Sequence, residues 1–167
     1  NRKISKREEQ IPAIIENDLN ALIPEDYIGN DTERLNVYKK LFEIRYLKDL
    51  IRMEEELKDR FGKTGPEVDN LLKIIEIKIK ATDIGLEKIS INGDEMLMYF
   101  PADKSHRIFQ SDFFTNLVNR LSEVKSDKFS FINKKDRLVI LVNLDSPDDD
   151  LRINEIKGLL NDVLMGQ

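Results

Sequence analysis

The chain has 167 residues, 40% of them apolar and 35% charged, with 27 Lys and Arg against 32 Asp and Glu for a net charge of −5. That length fits one domain at about 100 to 200 residues per domain, and the composition is that of a folded protein with a heavily charged surface. With no cysteine there is no disulfide framework, thiolate metal site or Cys nucleophile, which points to a reducing, cytoplasmic compartment. No apolar run approaches the roughly 18 residues of a membrane span, and the opening "NRKISKREEQ" lacks the apolar stretch of a signal peptide. Neither charge sign is segregated into a basic stripe, so no direct nucleic-acid contact is expected. The chain begins at Asn1, as expected of a piece cut from something longer.

Residues 1–12 read as a linker and 13–167 as a single domain, helical over about 31–84 and sheet-plus-helix over about 85–167. In "IPAIIENDLNALIPEDYI" the apolar runs are broken by Pro12 and Pro24, which predicts an extended lead-in arm on the surface. Asp31 is an expected N-cap for a helix over about 32–45, with Leu35, Tyr38, Leu41, Phe42 and Arg45 or Tyr46 on one side. A second helix is predicted over about 48–61, where Leu47, Leu50, Ile51, Met53, Leu57 and Phe61 gather on one face. Its other face carries Lys48, Asp49, Arg52, Glu55, Glu56 and Asp59. Pro66 suits the first turn of a third helix running to about Thr82, and Gly85 is a natural C′ stop.

Strand chemistry follows. "LEKISI", a turn at Asn92-Gly93-Asp94 and "EMLMYF" predict an antiparallel hairpin. Ser111 can cap a helix over about 112–124. "KFSFIN", the polar turn "KKD" and "RLVILVN" predict a second hairpin whose run from Leu138 to Val142 looks buried on both faces, and Ser146-Pro147 begins a last helix. Three helices and then two hairpins, each followed by a helix, predict an α+β domain with a roughly four-stranded antiparallel sheet packed with helices.

The stretch "EEELKDRFGKTGPEV" poses the sharpest question of function. Phe61 falls on the apolar face, Gly62 ends the helix, and Arg60 suits the negative end of the helix dipole. Asp59 does not: a carboxylate in the last turn meets that negative end and is expected to have a partner, in the following loop or on a basic neighbour. No His or Cys lies nearby to make a catalytic pair, so architecture is preferred to catalysis. "PDDDLR" has clustered carboxylates but no turn glycine between them, and Ser146 with Asp149 has capping-box spacing; a helix start is preferred to a metal loop. His106 stands alone in a polar loop, and no GxxxxGK[ST] or GxGxxG occurs. No catalytic, cofactor or metal residues are therefore assigned. The acidic face of the second helix reads either as a solvated surface laced by pairs at Asp49–Arg52, Glu54–Lys58 and Glu56–Arg60 or as a docking surface for a basic partner, carried by Asp49, Glu55 and Glu56.

Four pieces resemble the C-terminal domain of the bacterial transcription-repair coupling factor: "IPEDYI" at 23–28, Arg34-Leu35 with Tyr38-Lys39, "ELKDRFG" at 56–62, and Pro66 with Asn70-Leu71-Leu72. The residues that carry it are Pro24, Tyr27, Arg34, Tyr38, Asp59, Arg60, Phe61, Gly62 and Pro66. The resemblance spans 13 to about 90; residues 92–167 add no diagnostic motif. It implies a non-catalytic regulatory domain, joined by residues 1–12 to the motor of an ATP-dependent DNA translocase that displaces stalled RNA polymerase and recruits the excision-repair protein UvrA. It further implies an autoinhibitory clamp resting on the N-terminal UvrA-binding module, with polymerase and UvrA met only through the parent protein. The rival readings are a free-standing protein-interaction adaptor and a metal-assisted hydrolase using Asp148 to Asp150 with His106.

Overall fold

The computed structural model describes residues 10–123 and 127–165. Most of the expected linker lies outside the described residues. The elements are β1 (Ile14–Asn17), α1 (Asp31–Glu43), α2 (Leu47–Phe61), α3 (Pro66–Ile84), β2 (Lys88–Asn92), β3 (Glu95–Tyr99), a 3-10 turn (Arg107–Gln110), α4 (Asp112–Glu123), β4 (Phe129–Lys134), β5 (Arg137–Asn143) and α5 (Asp149–Met165).

The domain is α+β, but the sheet has five strands in the order β1-β2-β3-β5-β4 and is mixed. The segment expected to be a surface arm supplies the fifth strand. It pairs parallel with β2, Ile15 opposite Ile89, and the three helices form the long connection that parallel pairing requires. The arm is also not superficial: Ala13, Leu19, Ile23 and Ile28 are all buried. Its backbone is tied to α3 where no ladder reaches, with the Ala13 N–H donating to Thr82 Oγ1 (3.0 Å), the Leu22 N–H to the Glu67 carbonyl (3.2 Å), and Asn70 Nδ2 to the Asn20 carbonyl (3.2 Å). Pro12 and Pro24 keep this path out of a helix, and buried polar groups on α3 satisfy it.

Both hairpins have two-residue turns. Gly93 takes φ 58° in the first, and Lys135 and Asp136 take φ 49° and 61° in the second. The second turn is therefore tighter than "KKD" suggested, since Lys134 still pairs with Arg137 at the end of the ladder. β5 lies between β3 and β4, and burial on both faces holds at Val139 and Ile140.

Two hydrophobic cores meet on α3. Ile74, Ile77, Ala81 and Ile84 join the sheet core with Met96, Met98, Ile140 and Val142, closed over by Phe113 and Leu117 of α4 and Ile153, Ile156 and Leu160 of α5. Val68, Leu71, Leu72, Ile75 and Ile79 join the helical core with Val37, Leu41, Leu50, Met53 and Leu57. A helix buried nearly all round has to be apolar nearly all round, which is how "LLKIIEIKI" reads. Gly85 ends it at φ 97°, its N–H and that of Leu86 both donating to the Ala81 carbonyl (3.0 Å each). Arg107 covers further carbonyls of the same end, donating to Asp83 (3.0 Å) and Ile84 (3.3 Å).

Three local expectations are corrected. Asn30, not Asp31, caps α1, its Oδ1 accepting the Glu33 N–H at 2.9 Å, while Asp31 turns to Arg34. On α1 the buried residues are Val37 and Leu41, whereas Leu35 is 67% exposed and Phe42 45% exposed. The start of α5 is capped by Asp148, which accepts the Leu151 N–H at 2.9 Å; Ser146 instead donates its hydroxyl to Glu155 (2.7 Å). Ser111 does cap α4, accepting the Phe114 N–H at 3.2 Å.

Candidate interaction surface

The α2–α3 corner is built first from apolar contacts. Phe61 meets the Tyr27 ring with centroids 5.9 Å apart, and the Arg60 guanidinium lies 4.8 Å from the Phe61 centroid. Tyr27 then locks the end of α2, its hydroxyl donating toward the carbonyls of Leu57 (3.1 Å), in the last turn of the helix, and Gly62 (3.0 Å), just past it. Burial raises the Tyr27 phenol pKa above its ordinary value, with Asp69 adding to the effect and Lys58 opposing it. Gly62 closes the helix at φ 87°, where a side chain is disfavoured. Arg34 Nη1 donates to the Ile28 carbonyl (2.8 Å) and Tyr38 Oη accepts the Ile23 N–H (2.7 Å), so the motif residues on α1 hold the "IPEDYI" turn against the helices.

The solvent-facing side of α2 is a lattice of ion pairs. Asp49 pairs with Arg52 (3.5 Å), Glu54 with Lys58 (2.6 Å) and Glu56 with Arg60 (3.0 Å). The hydrogen bond and charge of Glu54 hold the Lys58 ammonium pKa above its usual value. Two further partners come from α1, Glu33 on Arg60 and Lys40 at 3.8 Å from Glu56. Sequence spacing along one helix could not reveal these, because α1 supplies them from another element. Of the three expected docking acids, Asp49 and Glu56 are thus paired at home and Glu55 is exposed.

Asp59 overturns its expectation. It is exposed and has no hydrogen-bond or ion-pair partner among the described residues. The basic neighbour it might have used, Arg60, is taken by Glu33 and Glu56. Water screens the opposing dipole enough for the carboxylate to persist there. Glu55 stands one helical turn before it, also exposed and without a partner among the described residues, so the two form a free acidic strip beside the neutralised pairs.

The residues weighed for a hydrolase are not drawn into one site. Asp148 is a helix cap, and Asp149 accepts the Asn20 N–H (2.9 Å) and pairs with Arg152 (3.3 Å). His106 serves the 3-10 turn, its Nδ1 accepting the Ile108 N–H (3.2 Å). Among the described residues no group of three or more His, Cys, Asp or Glu could hold a metal ion, and no helix is long and apolar enough to cross a membrane.

The TRCF domain family model matches residues 17–111, more than half the chain. The transcription-repair-coupling factor of Staphylococcus haemolyticus (strain JCSC1435) is 34% identical over 96 residues, covering 57% of this chain and 8% of that protein. That of Staphylococcus aureus (strain USA300) is 34% identical over 93 residues, covering 55% and 8%. The chain thus aligns with only a small part of these relatives' length. A crystal structure of the C-terminal domain of transcription-repair coupling factor superposes with a TM-score of 0.69 at 19% identity, covering 95% of this chain and 97% of that one, a likeness of fold. With the Tyr27–Phe61–Gly62 corner inside the matched span, the chain belongs to the transcription-repair coupling factor family.

Proposed function

We propose that this is the non-catalytic, C-terminal regulatory domain of a transcription-repair coupling factor, and that it restrains its parent by docking the outer face of α2 on the N-terminal UvrA-binding module. The parent is read as an ATP-dependent DNA translocase that displaces stalled RNA polymerase and recruits UvrA. The domain boundaries follow the same reading, a linker from the motor region to residue 12 and one domain from residue 13. Asp59 is the observation that carries the docking face. It lies against its own helix dipole, exposed and without a partner among the described residues, and Glu55 extends the free acid by one turn. A basic group on a docked partner would neutralise both, while the paired Asp49 and Glu56 sit at the rim and set orientation. The clamp is then a coupling free energy: docking favours the closed state, and polymerase engagement has to offset it. Tethering in one chain raises effective concentration, so a weak contact suffices.

The test is titration of the separate N-terminal module with this domain at several salt concentrations. The expected result is weak binding that falls with salt and drops at least about fivefold, or ~1 kcal/mol, for Asp59→Asn. The same substitution removes a charge from the wrong helix end, so thermal stability stays level or rises slightly. Salt-insensitive binding, or no binding even when module and domain are joined by a flexible linker, would refute the docking reading. A free-standing adaptor is the alternative, and it predicts that the module is ignored while another basic partner depends on Asp59.

A further inference from the structure

α2 has a second outward stripe, on the side of the helix away from Asp49 and Glu56. Leu47, Ile51, Glu54 and Lys58 recur at i, i+4, i+7 and i+11, a line of about 17 Å at 1.5 Å per residue. Leu47 is 44% exposed and Ile51 51%, although both belong to the apolar set of the helix. They form one lip of a groove between α2 and α3, floored by the buried Leu50 and Leu72 and ended by Lys157 of α5. Isolated exposed leucines are ordinary, but two apolar residues on one line over an apolar floor form a continuous strip.

The charges in this groove are unequal in their pairing. Lys58 is bound to Glu54 (2.6 Å), Lys157 to Glu76 (2.6 Å), and Asp69 accepts the Thr64 hydroxyl (2.5 Å). Lys63 and Lys73 have no partner among the described residues. The acids are occupied and two cations are left over, in a chain whose net charge is −5. The two long walls are the helices α2 and α3, whose backbone groups are already bonded, so an extended segment lying along them would gain no main-chain hydrogen bonds from either. A helix brings its own backbone satisfied and presents apolar residues at the i, i+4 spacing of Leu47 and Ile51.

We infer that the α2–α3 groove is a second docking site, which takes an acidic amphipathic helix of a partner protein, its apolar ridge on Leu47 and Ile51 and its carboxylates on Lys63 and Lys73. The site is separate from the acidic strip at Glu55 and Asp59 and does not depend on it. Its test uses two fluorescein-labelled helical peptides with Leu at i, i+3, i+4 and i+7, one flanked by Glu and the other by Lys, read by anisotropy. The Glu peptide is expected to bind saturably and the Lys peptide not. Its affinity should fall at least about tenfold, ~1.4 kcal/mol, in Ile51→Asp and in the double variant Lys63→Glu/Lys73→Glu, and be unchanged in Asp59→Asn. Circular dichroism of the variants should match the unsubstituted chain, since the substituted side chains are not core. Equal binding of the two peptides, no saturable binding of the Glu peptide, or binding indifferent to the groove variants would overturn the inference.

Discussion

Glu155 holds α5 to the loop that leads into it from β5 and to Lys128 before β4, and removing its charge should cost more than any other single hydrogen-bonding change in the sheet half. Its carboxylate accepts from the Asp145 N–H (3.0 Å), the Ser146 N–H (3.1 Å), the Ser146 hydroxyl (2.7 Å) and Lys128 Nζ (2.9 Å). Burial alone would push this group up, but these donors and the Lys128 charge outweigh it and hold the pKa down to about 2, from 4.5. Its side chain is 15% exposed, so solvent screens little of this. A pKa lowered on folding stabilises above the unfolded value and is lost as pH falls through the folded value, here between about pH 4.5 and 2. At about 1.4 kcal/mol per unit, the full contribution is roughly 3 kcal/mol at pH 7, and roughly 1.4 kcal/mol remains at pH 3. Glu155→Gln keeps the shape and some of the bonds but loses the charge. The expected destabilisation is about 2 to 3 kcal/mol at pH 7, or about 4 to 12 °C in Tm for a domain of this size. Paired urea unfolding of both proteins at pH 7 and pH 3 measures it, and the gap should at least halve at the lower pH. A gap under about 0.5 kcal/mol at pH 7, or one that does not change with pH, refutes this account of Glu155.

Tyr27→Phe removes a hydroxyl that serves the Leu57 and Gly62 carbonyls and should cost about 1 to 2 kcal/mol in chemical denaturation, with the ring contact to Phe61 retained. Gly85→Ala should be worse than an ordinary exposed Gly→Ala, because φ is 97° and the new Cβ would lie 2.9 Å from His106 Cε1; a loss above about 1 kcal/mol in a thermal melt is expected. Asn30→Ala should cost about 1 kcal/mol through the lost α1 cap and Asp31→Ala less, a ranking that equilibrium unfolding of the two variants checks directly.

The helices and hairpins were legible because each is signalled locally. Phe61-Gly62 before Pro66 ends one helix and begins the next, Gly85 stops α3 in the conformation only glycine adopts easily, and both hairpins follow their alternating runs. The first strand was not legible as a strand. Ile14–Asn17 is four residues long, and its pairing partner β2 lies on the far side of three helices, so nothing near it in sequence announces a ladder. The buried side of α1 was legible only in part for a related reason: Leu41 and Tyr38 face the helical core as expected, but Leu35 and Phe42 are as apolar as Val37, and only the packing of the other helices decides that Val37 is covered and those two are not.

The site divides in the same way. Periodicity along α2 was enough to find the pairs Asp49–Arg52, Glu54–Lys58 and Glu56–Arg60, because residues three and four apart meet on any helix. It could not say which acids would remain free. Glu33 and Lys40 arrive from α1, Arg60 is consumed by Glu33 and Glu56, and Asp59 is left exposed and, among the described residues, without the partner that helix electrostatics led one to expect. Sequence by itself therefore determined the helices, the two hairpins, most of their ends and the family, which depend on near neighbours and on short motifs. Tertiary structure alone decided which strand joined the sheet, which apolar residues were buried and which charges were left unpaired, because burial and pairing are settled between elements that the chain keeps far apart.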